Sequence, residues 1–459
     1  MYPHPPFPTW KLRTHSAISL SKMYGTEVPA YTTLVNATAQ VNTTVLHRDG
    51  TSTAQRPGTP TELHQVAQIF AAFGMHPTGF YDLRDASASS IPVVSTAFRP
   101  VDPGELARNP FRVFTSVLVA DDRRFFDAEL QRRIEEFLAR RTLFPPELLY
   151  LAEQAEREQG LPEAEALRFL TLATAAFELS PEPVDRAWYA TLEKVSSVAA
   201  DIAGVGSTHI NHLTPRVLDI DELYRRMADR GIAMIDEIQG PPRWDGPDIL
   251  LRQTSFKALS EPRRFREPDG GVTPGALRVR FGEVEARGIA LTPAGRVRYD
   301  QLTAEVDELL AADPSLPRQE AARTVWTRRL PATEAELARQ DLAFFTYEAA
   351  DRPADGRHPP HDLPALLDGG PPPAHPVVHE DFLPRPAAGI FRSNLDDEGS
   401  KDAGQTASPR DTDWLAAVLD RPVHDPAEHY ARQRRTSLDE AAKALGIAPV
   451  RPTPGEDPA

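Results

Sequence analysis

The spacing of apolar and polar positions divides the chain into helical and strand-like stretches. After a proline-rich start, the pattern from Leu12 to Val45 predicts one or two helices. A better-marked helix is predicted from Pro60, with Thr59 as N-cap, Glu62 in the first turn, Leu63, Val66, Ile69, Phe70 and Phe73 on one face, and Gly74 as its stop. Three runs rich in strand formers follow, Gly79 to Leu83, Ile91 to Phe98 and Phe111 to Val119, and together they predict a sheet. From Asp122 to about Ala203 the period turns helical. Pro145-Pro146, Gly160-Leu161-Pro162 and Pro181-Glu182-Pro183 punctuate this stretch, which reads as a helical insertion.

Strand patterns return at Ile232 to Ile235, Ile249 to Phe256 and Ala276 to Glu285. In the last, Leu277, Val279 and Phe281 fall on one face while Arg278 and Arg280 fall on the other, the period of two of a half-buried strand. If the alternation continues past Gly282, Glu283 and Glu285 lie on the apolar face, where a carboxylate needs a partner. Helices are expected beyond Leu302, a Pro-, Gly-, Asp- and His-rich loop over 350–376, a last strand and turn over Val377 to Phe391, and C-terminal helices over Thr412 to Leu445. The organisation expected is an N-terminal arm (1–22), a single catalytic body (23–445) including the insertion 122–203 and the loop 350–376, and a flexible tail (446–459).

Composition narrows the function classes. Hydrophobic residues make up 41% and charged residues 25%, as in a folded globular protein, but 45 of 459 residues are proline, about twice the usual ~5%. The net charge is −15, with six lysines among 51 basic residues, which argues against nucleic acid as a partner. An anionic ligand must therefore be held by a few local arginines. The chain has no cysteine, so thiolate chemistry and cysteine metal sites are excluded and His, Asp and Glu remain as metal ligands. No apolar run approaches the ~20 residues of a membrane helix, and the start lacks the charged and apolar regions of a secretory signal, so the cytoplasm is the expected location and no membrane partner is expected. Nothing in the sequence fixes an oligomeric state.

The densest polar run is Thr208-His-Ile-Asn-His-Leu-Thr-Pro-Arg216. Its two histidines are three apart and lack the i, i+4 spacing and glutamate of a zincin helix. A structured loop bearing a site is one reading; a hydrogen-bonded loop histidine is the plainer one. Glu283 has an arginine ion pair as its competing reading. Joined to a histidine pair, a core-facing glutamate suits the two-His-one-carboxylate arrangement of non-haem Fe(II), although alternation does not choose between Glu283 and Glu285. Serine-elbow, Walker and dinucleotide glycine motifs are absent. Arg56, Arg99, Arg112, Arg252 and Arg385 are candidate carboxylate grips, most of them better read as structural.

Several ordered segments together resemble one family. Met23-Tyr-Gly-Thr-Glu-Val-Pro-Ala-Tyr31, Gly74-Met-His-Pro-Thr-Gly-Phe-Tyr-Asp-Leu83, Ser95-Thr-Ala-Phe-Arg-Pro100, Phe111-Arg-Val-Phe-Thr-Ser116, His209-Ile-Asn-His-Leu-Thr-Pro-Arg216, Leu250-Leu-Arg-Gln-Thr-Ser-Phe-Lys-Ala-Leu259, Phe281-Gly-Glu283, Glu380-Asp-Phe-Leu-Pro384 and Ala387-Ala-Gly-Ile-Phe391 resemble the 2-oxoadipate dioxygenase/decarboxylase (hydroxyglutarate synthase) family, from about Met23 to Leu445. The resemblance implies an α+β fold with a vicinal-oxygen-chelate-like curved, mostly antiparallel sheet enclosing a metal site, a helical insertion and C-terminal helices. It implies one Fe(II) on two histidines and a glutamate, with His212 and Glu283 as the matching ligands. It further implies oxidative decarboxylation of 2-oxoadipate with O2 to 2-hydroxyglutarate and CO2, a step of lysine catabolism, with a small 2-oxo acid as partner.

By the same resemblance Arg56, before the Gly58-Thr59 turn, grips substrate, and Arg385, after Phe382-Leu383-Pro384, contacts it; Gln253 is a weaker candidate beside the metal ligands. One departure stands out. The family's first metal histidine lies four residues before the arginine in a His-Gly-Ala-Ile-Arg pattern, where this chain has Ser52-Thr-Ala-Gln-Arg56. Three readings follow: His47 reaches the metal through a rearranged loop, the site keeps two ligands, or the stretch is anomalous. The departure also admits an alternative function, a catalytically impaired relative that binds a keto acid or another protein.

Overall fold

The computed structural model describes residues 6–45, 51–85, 90–278, 280–349, 374–383, 401–402 and 404–446, with the backbone alone at 44–45 and 51–55. In chain order the strands are β1 (Phe7–Pro8), β2 (Thr51–Gln55), β3 (His76–Asp82), β4 (Val93–Arg99), β5 (Arg112–Leu118), β6 (Gly160–Leu161), β7 (Val184–Asp185), β8 (His212–Pro215), β9 (Leu251–Ser255), β10 (Glu261–Arg266), β11 (Val272–Leu277), β12 (Glu283–Arg287), β13 (Phe345–Tyr347) and β14 (Ala374–Pro376). The chain forms two compact units. The first comprises Met1–Gln239, Gln253–Ala286 and Asp381–His424; the second comprises Gly240–Arg252, Arg287–Glu380 and Asp425–Ala459.

The first unit is built on a five-stranded sheet in the order β3-β4-β5-β2-β8. Every neighbouring pair is antiparallel except β2 with β5, so the expected α+β class with a mostly antiparallel sheet is what the structure shows. The composition of the strands explains their order. β4 and β5 are buried at every position and carry no proline, as central strands must be. Pro77 and Pro215 lie on β3 and β8, the two edges, where a missing N–H breaks no ladder. The expected helix spans Pro60–Ala72, and its capping box is complete: Thr59 accepts from the Glu62 backbone N–H and Glu62 accepts from that of Thr59. Gly74, the expected stop, adopts φ +66°, where a side chain would be strained.

Leu12 to Val45 resolves into two helices, Thr9–Glu27 and Pro29–Val45, and the expected insertion contains five helices between Ala128 and Ala203 among the described residues. Two strand expectations need correction. Ile232–Ile235 is not a strand; only Met234 bridges, to Phe256. Ala276–Glu285 is not one strand but two, since β11 ends at Leu277 and β12 begins at Glu283. The interruption has a steric cause: a Cβ on Gly282 would lie 2.2 Å from the Phe256 ring, so the chain passes close against that ring instead of continuing the ladder.

The second unit holds helices Pro293–Ala312, Arg318–Arg329, Glu334–Arg339 and Pro426–Leu445 and the antiparallel pair β13-β14. Ala290, Phe344, Val377 and Tyr430 form its small core. The expected C-terminal helical region is thus two helices, Thr412–Leu419 in the first unit and Pro426–Leu445 in the second. Residues 350–373, 384–400 and 447–459, which carry most of the expected loop, the end of the Val377–Phe391 strand and the tail, lie outside the described residues. Among the described residues no helix is long and apolar enough to cross a membrane.

Candidate metal centre

His212 opens β8, where the register sets it opposite Ala54 and sets Thr214 opposite Ser52 of β2. Glu283 opens β12. These two elements, 71 positions apart in sequence, bring His212 Nε2 to 3.1 Å from Glu283 Oε2, with the side chains only 6% and 5% exposed. Thr214 Oγ1 donates to the same carboxylate oxygen at 2.9 Å. The Phe281 ring stacks on the imidazole, centroids 4.8 Å apart and planes 17° from parallel, which fixes the plane of the ring.

The backbone beneath the pair is tied together by a residue that no sequence pattern marks as part of a site. Tyr24, buried in helix Thr9–Glu27, donates its hydroxyl to the carbonyls of Asn211 (2.8 Å) and Phe281 (2.7 Å). The Phe281 N–H also donates to the Asn211 carbonyl at 3.1 Å. One phenol therefore spans the residue before His212 and the residue two before Glu283. Burial raises the Tyr24 pKa well above its ordinary value, so the hydroxyl stays a donor.

Two positions along β12, Glu285 meets a different partner. Arg112 of β5 donates Nη2 to its carboxylate, and the Arg112 guanidinium lies 4.0 Å from the centroid of the Phe382 ring. Arg99 of β4 donates Nε and Nη2, one edge of its guanidinium, to the two oxygens of Asp381, at 2.7 and 3.0 Å. These arginines, candidate grips by sequence, are thus each held by a carboxylate of the chain itself.

Arg56 follows β2 and is buried. Its Nη1 donates to Asp201 Oδ2 at 2.9 Å, and Asn211 Nδ2 donates to the same oxygen at 2.6 Å. His209 Nε2 lies 3.2 Å from the other Asp201 oxygen. Burial alone would raise the pKa of Asp201, but His209, Arg56 and Asn211 outweigh it and hold the carboxyl down to about 2. Arg56 is therefore joined to the His212 loop through Asp201 and Asn211. Asp201 escaped the sequence reading because nothing near it in the chain marks it; its partners come from 10 and 145 residues away.

Gln253 is buried on β9 and exchanges backbone hydrogen bonds with Gln239, its amide 3.5 Å from that side chain. Among the described residues it makes no hydrogen bond with His212 or Glu283. Arg385 and His47 lie outside the described residues, as does the side chain of Ser52. One imidazole nitrogen and one carboxylate oxygen converging in a buried site suit a divalent cation of borderline hardness. They supply two ligands; among the described residues no three His, Asp or Glu side chains converge.

Comparison with known proteins shows the family of the chain. A family-wide profile described as 2-oxoadipate dioxygenase/decarboxylase matches residues 16–394. A Mycobacterium tuberculosis protein named 2-oxoadipate dioxygenase/decarboxylase is 54% identical over 436 residues, covering 92% of this chain and 96% of that protein. The crystal structure of the hydroxyglutarate synthase from Pseudomonas putida in complex with 2-oxoadipate superposes with a TM-score of 0.80 at 34% identity, covering 97% of this chain and 100% of that one. A putative glyoxalase superfamily protein from Ralstonia eutropha shares the fold over 61% of this chain and 84% of its own, with a TM-score of 0.50 at 20% identity. From the depth and extent of these matches, the chain belongs to the 2-oxoadipate dioxygenase/decarboxylase family of enzymes.

Proposed function

We propose that this chain converts 2-oxoadipate and O2 to 2-hydroxyglutarate and CO2 with Fe(II), as a step of lysine breakdown. The observation that supports this most directly is the approach of His212 Nε2 to Glu283 Oε2 at 3.1 Å in a buried site. In this reading the pair holds the iron and His47 supplies a third ligand. Bound Fe(II) would supply the Lewis acidity and the one-electron chemistry toward O2 that amino-acid side chains lack.

The residues of the chain divide the remaining work. Phe281 holds the imidazole plane, and Thr214 orients the carboxylate and satisfies part of its hydrogen-bonding capacity. Tyr24 fixes the distance between the two ligand-bearing turns. Arg56 grips a substrate carboxylate. Its bond to Asp201 uses one of five guanidinium donors and fixes the orientation of the rest. Arg385 contacts the substrate, mainly through its backbone, and Gln253 supports the site from β9. Burial of the pair keeps bulk water from competing with a chelating 2-oxo acid.

The test is anaerobic loading with iron, followed by product analysis after admission of O2 and 2-oxoadipate. One equivalent of iron, with 2-hydroxyglutarate and CO2 formed in equal amounts, is the expected result; no oxygen uptake with iron bound would end the proposal. In the same assay His47→Ala should lose iron if His47 is the third ligand and retain it if it is not. Arg56→Ala should lower kcat/KM for 2-oxoadipate by about ten- to a hundredfold while sparing iron binding, the usual range for a charge-assisted contact.

A further inference from the structure

A 2-oxo acid that chelates through its keto oxygen and the adjoining carboxylate leaves its remote carboxylate for the guanidinium of Arg56. The distance from the chelating end to that guanidinium then decides which chain length fits. Backbone register settles only part of it: Ala54 of β2 lies opposite His212 of β8, and Arg56 follows two positions later, just past the end of β2. The register therefore brings the stem of Arg56 to the end of the site that carries His212. It does not place a charge borne at the tip of a long side chain with several rotatable bonds.

Asn211 supplies the missing link. Its backbone is held by two partners, since its carbonyl accepts from the Tyr24 hydroxyl at 2.8 Å and from the Phe281 N–H at 3.1 Å. Its side chain reaches a further element, the helix Ser197–Ala203: Nδ2 donates at 2.6 Å to Asp201 Oδ2, and the same oxygen takes Arg56 Nη1 at 2.9 Å. His209 Nε2 lies beside this strut, 3.3 Å from the Asn211 amide nitrogen and 3.2 Å from Asp201 Oδ1. The guanidinium is thus referred, through one shared carboxylate oxygen, to the residue that immediately precedes His212. Asn211, Asp201 and Arg56 are 0%, 3% and 4% exposed, so water does not readily stand in for a lost bond.

We propose that Asn211 is a positioning residue that, through Asp201, fixes the span between the His212 turn and the Arg56 guanidinium, and so sets the chain length of the 2-oxo dicarboxylic acid that the site selects. This rests on the function proposed above, and the test separates the two. Binding of 2-oxoadipate, of 2-oxoglutarate (one carbon shorter) and of 2-oxopimelate (one carbon longer) is measured by calorimetry on the iron-loaded, oxygen-free protein. Wild type, Asn211→Ala and Asn211→Ser are compared, with iron content and Tm recorded for each. The wild type should prefer 2-oxoadipate. Asn211→Ala should keep its iron, weaken 2-oxoadipate by about tenfold and bind the other two acids almost as before, so that the preference is flattened. Asn211→Ser, which keeps a donor on a smaller side chain, should retain part of the preference. A wild-type preference that persists in Asn211→Ala, or an equal loss for all three acids, would overturn the assignment, whatever happens to Tm. Loss of iron from Asn211→Ala would also overturn it and leave Asn211 as a support for His212 alone. If Asn211→Ala does not fold, Asn211→Ser decides, and a preference unchanged from wild type in that variant would refute the proposal. A wild type that binds all three acids equally would overturn this inference alone; one that binds none of them would refute the functional reading as well.

Discussion

Glu283 and Glu285 are the same residue type, two positions apart on β12 and both buried, yet their surroundings are opposite in kind. Glu285 faces the fixed cation of Arg112, so its charge is cancelled within the protein. Glu283 faces an imidazole and a hydroxyl, so its charge is oriented without being cancelled by a permanent cation. The first arrangement closes a structure, and the second leaves a negative site suited to a metal ion. Strand periodicity sees the two positions as equivalent; only the identity of the side chains across from them separates their roles.

The comparison can be broken by exchanging the consequences of losing each carboxylate. Glu285→Ala leaves Arg112 buried without its carboxylate and should cost about 3–5 kcal/mol of stability in denaturant unfolding. Glu283→Gln should leave the unfolding midpoint near that of wild type but weaken iron binding by about a hundredfold or more in a metal titration, since a neutral amide is a poor ligand. If Glu285→Ala lost iron and kept its stability, the assigned roles would be reversed.

Asp201 sharpens the contrast as a carboxylate set between Arg56 and His209. Its folded pKa of about 2 lies below the ~3.9 of an unfolded aspartate, so its stabilisation is complete above about pH 4 and is lost as pH falls through 2. Acid unfolding should accordingly be shallower between about pH 4 and pH 2 in Asp201→Asn, by about 2 kcal/mol over that interval. The smallest effect is expected for Thr214→Val, which removes only the hydroxyl on Glu283: iron affinity should fall about tenfold with little change in Tm.

What the sequence made legible was local or strongly patterned. The capping box at Thr59 and Glu62 could be read because its two partners are three residues apart, and Gly74 because a helix stop needs a positive φ. The same Glu62 also binds Arg141, 79 residues away, which no local rule reveals. In the site, His212 and Glu283 were reachable through polar clustering, alternation and family resemblance. Tyr24 and Asp201 were not, because each acts through residues that only the fold brings near. The merged strand Ala276–Glu285 shows the other failure: alternation continued on paper where Gly282, pressed against Phe256, breaks the ladder.

The Tyr24 hydroxyl bonds to carbonyls 187 and 257 positions farther along the chain. During synthesis the helix Thr9–Glu27 must therefore wait, its phenol not yet joined to both carbonyls, until the chain has been made through Phe281. Chains released short of Phe281 should lack this clasp, and the Glu283 carboxylate beyond it, however long they are incubated.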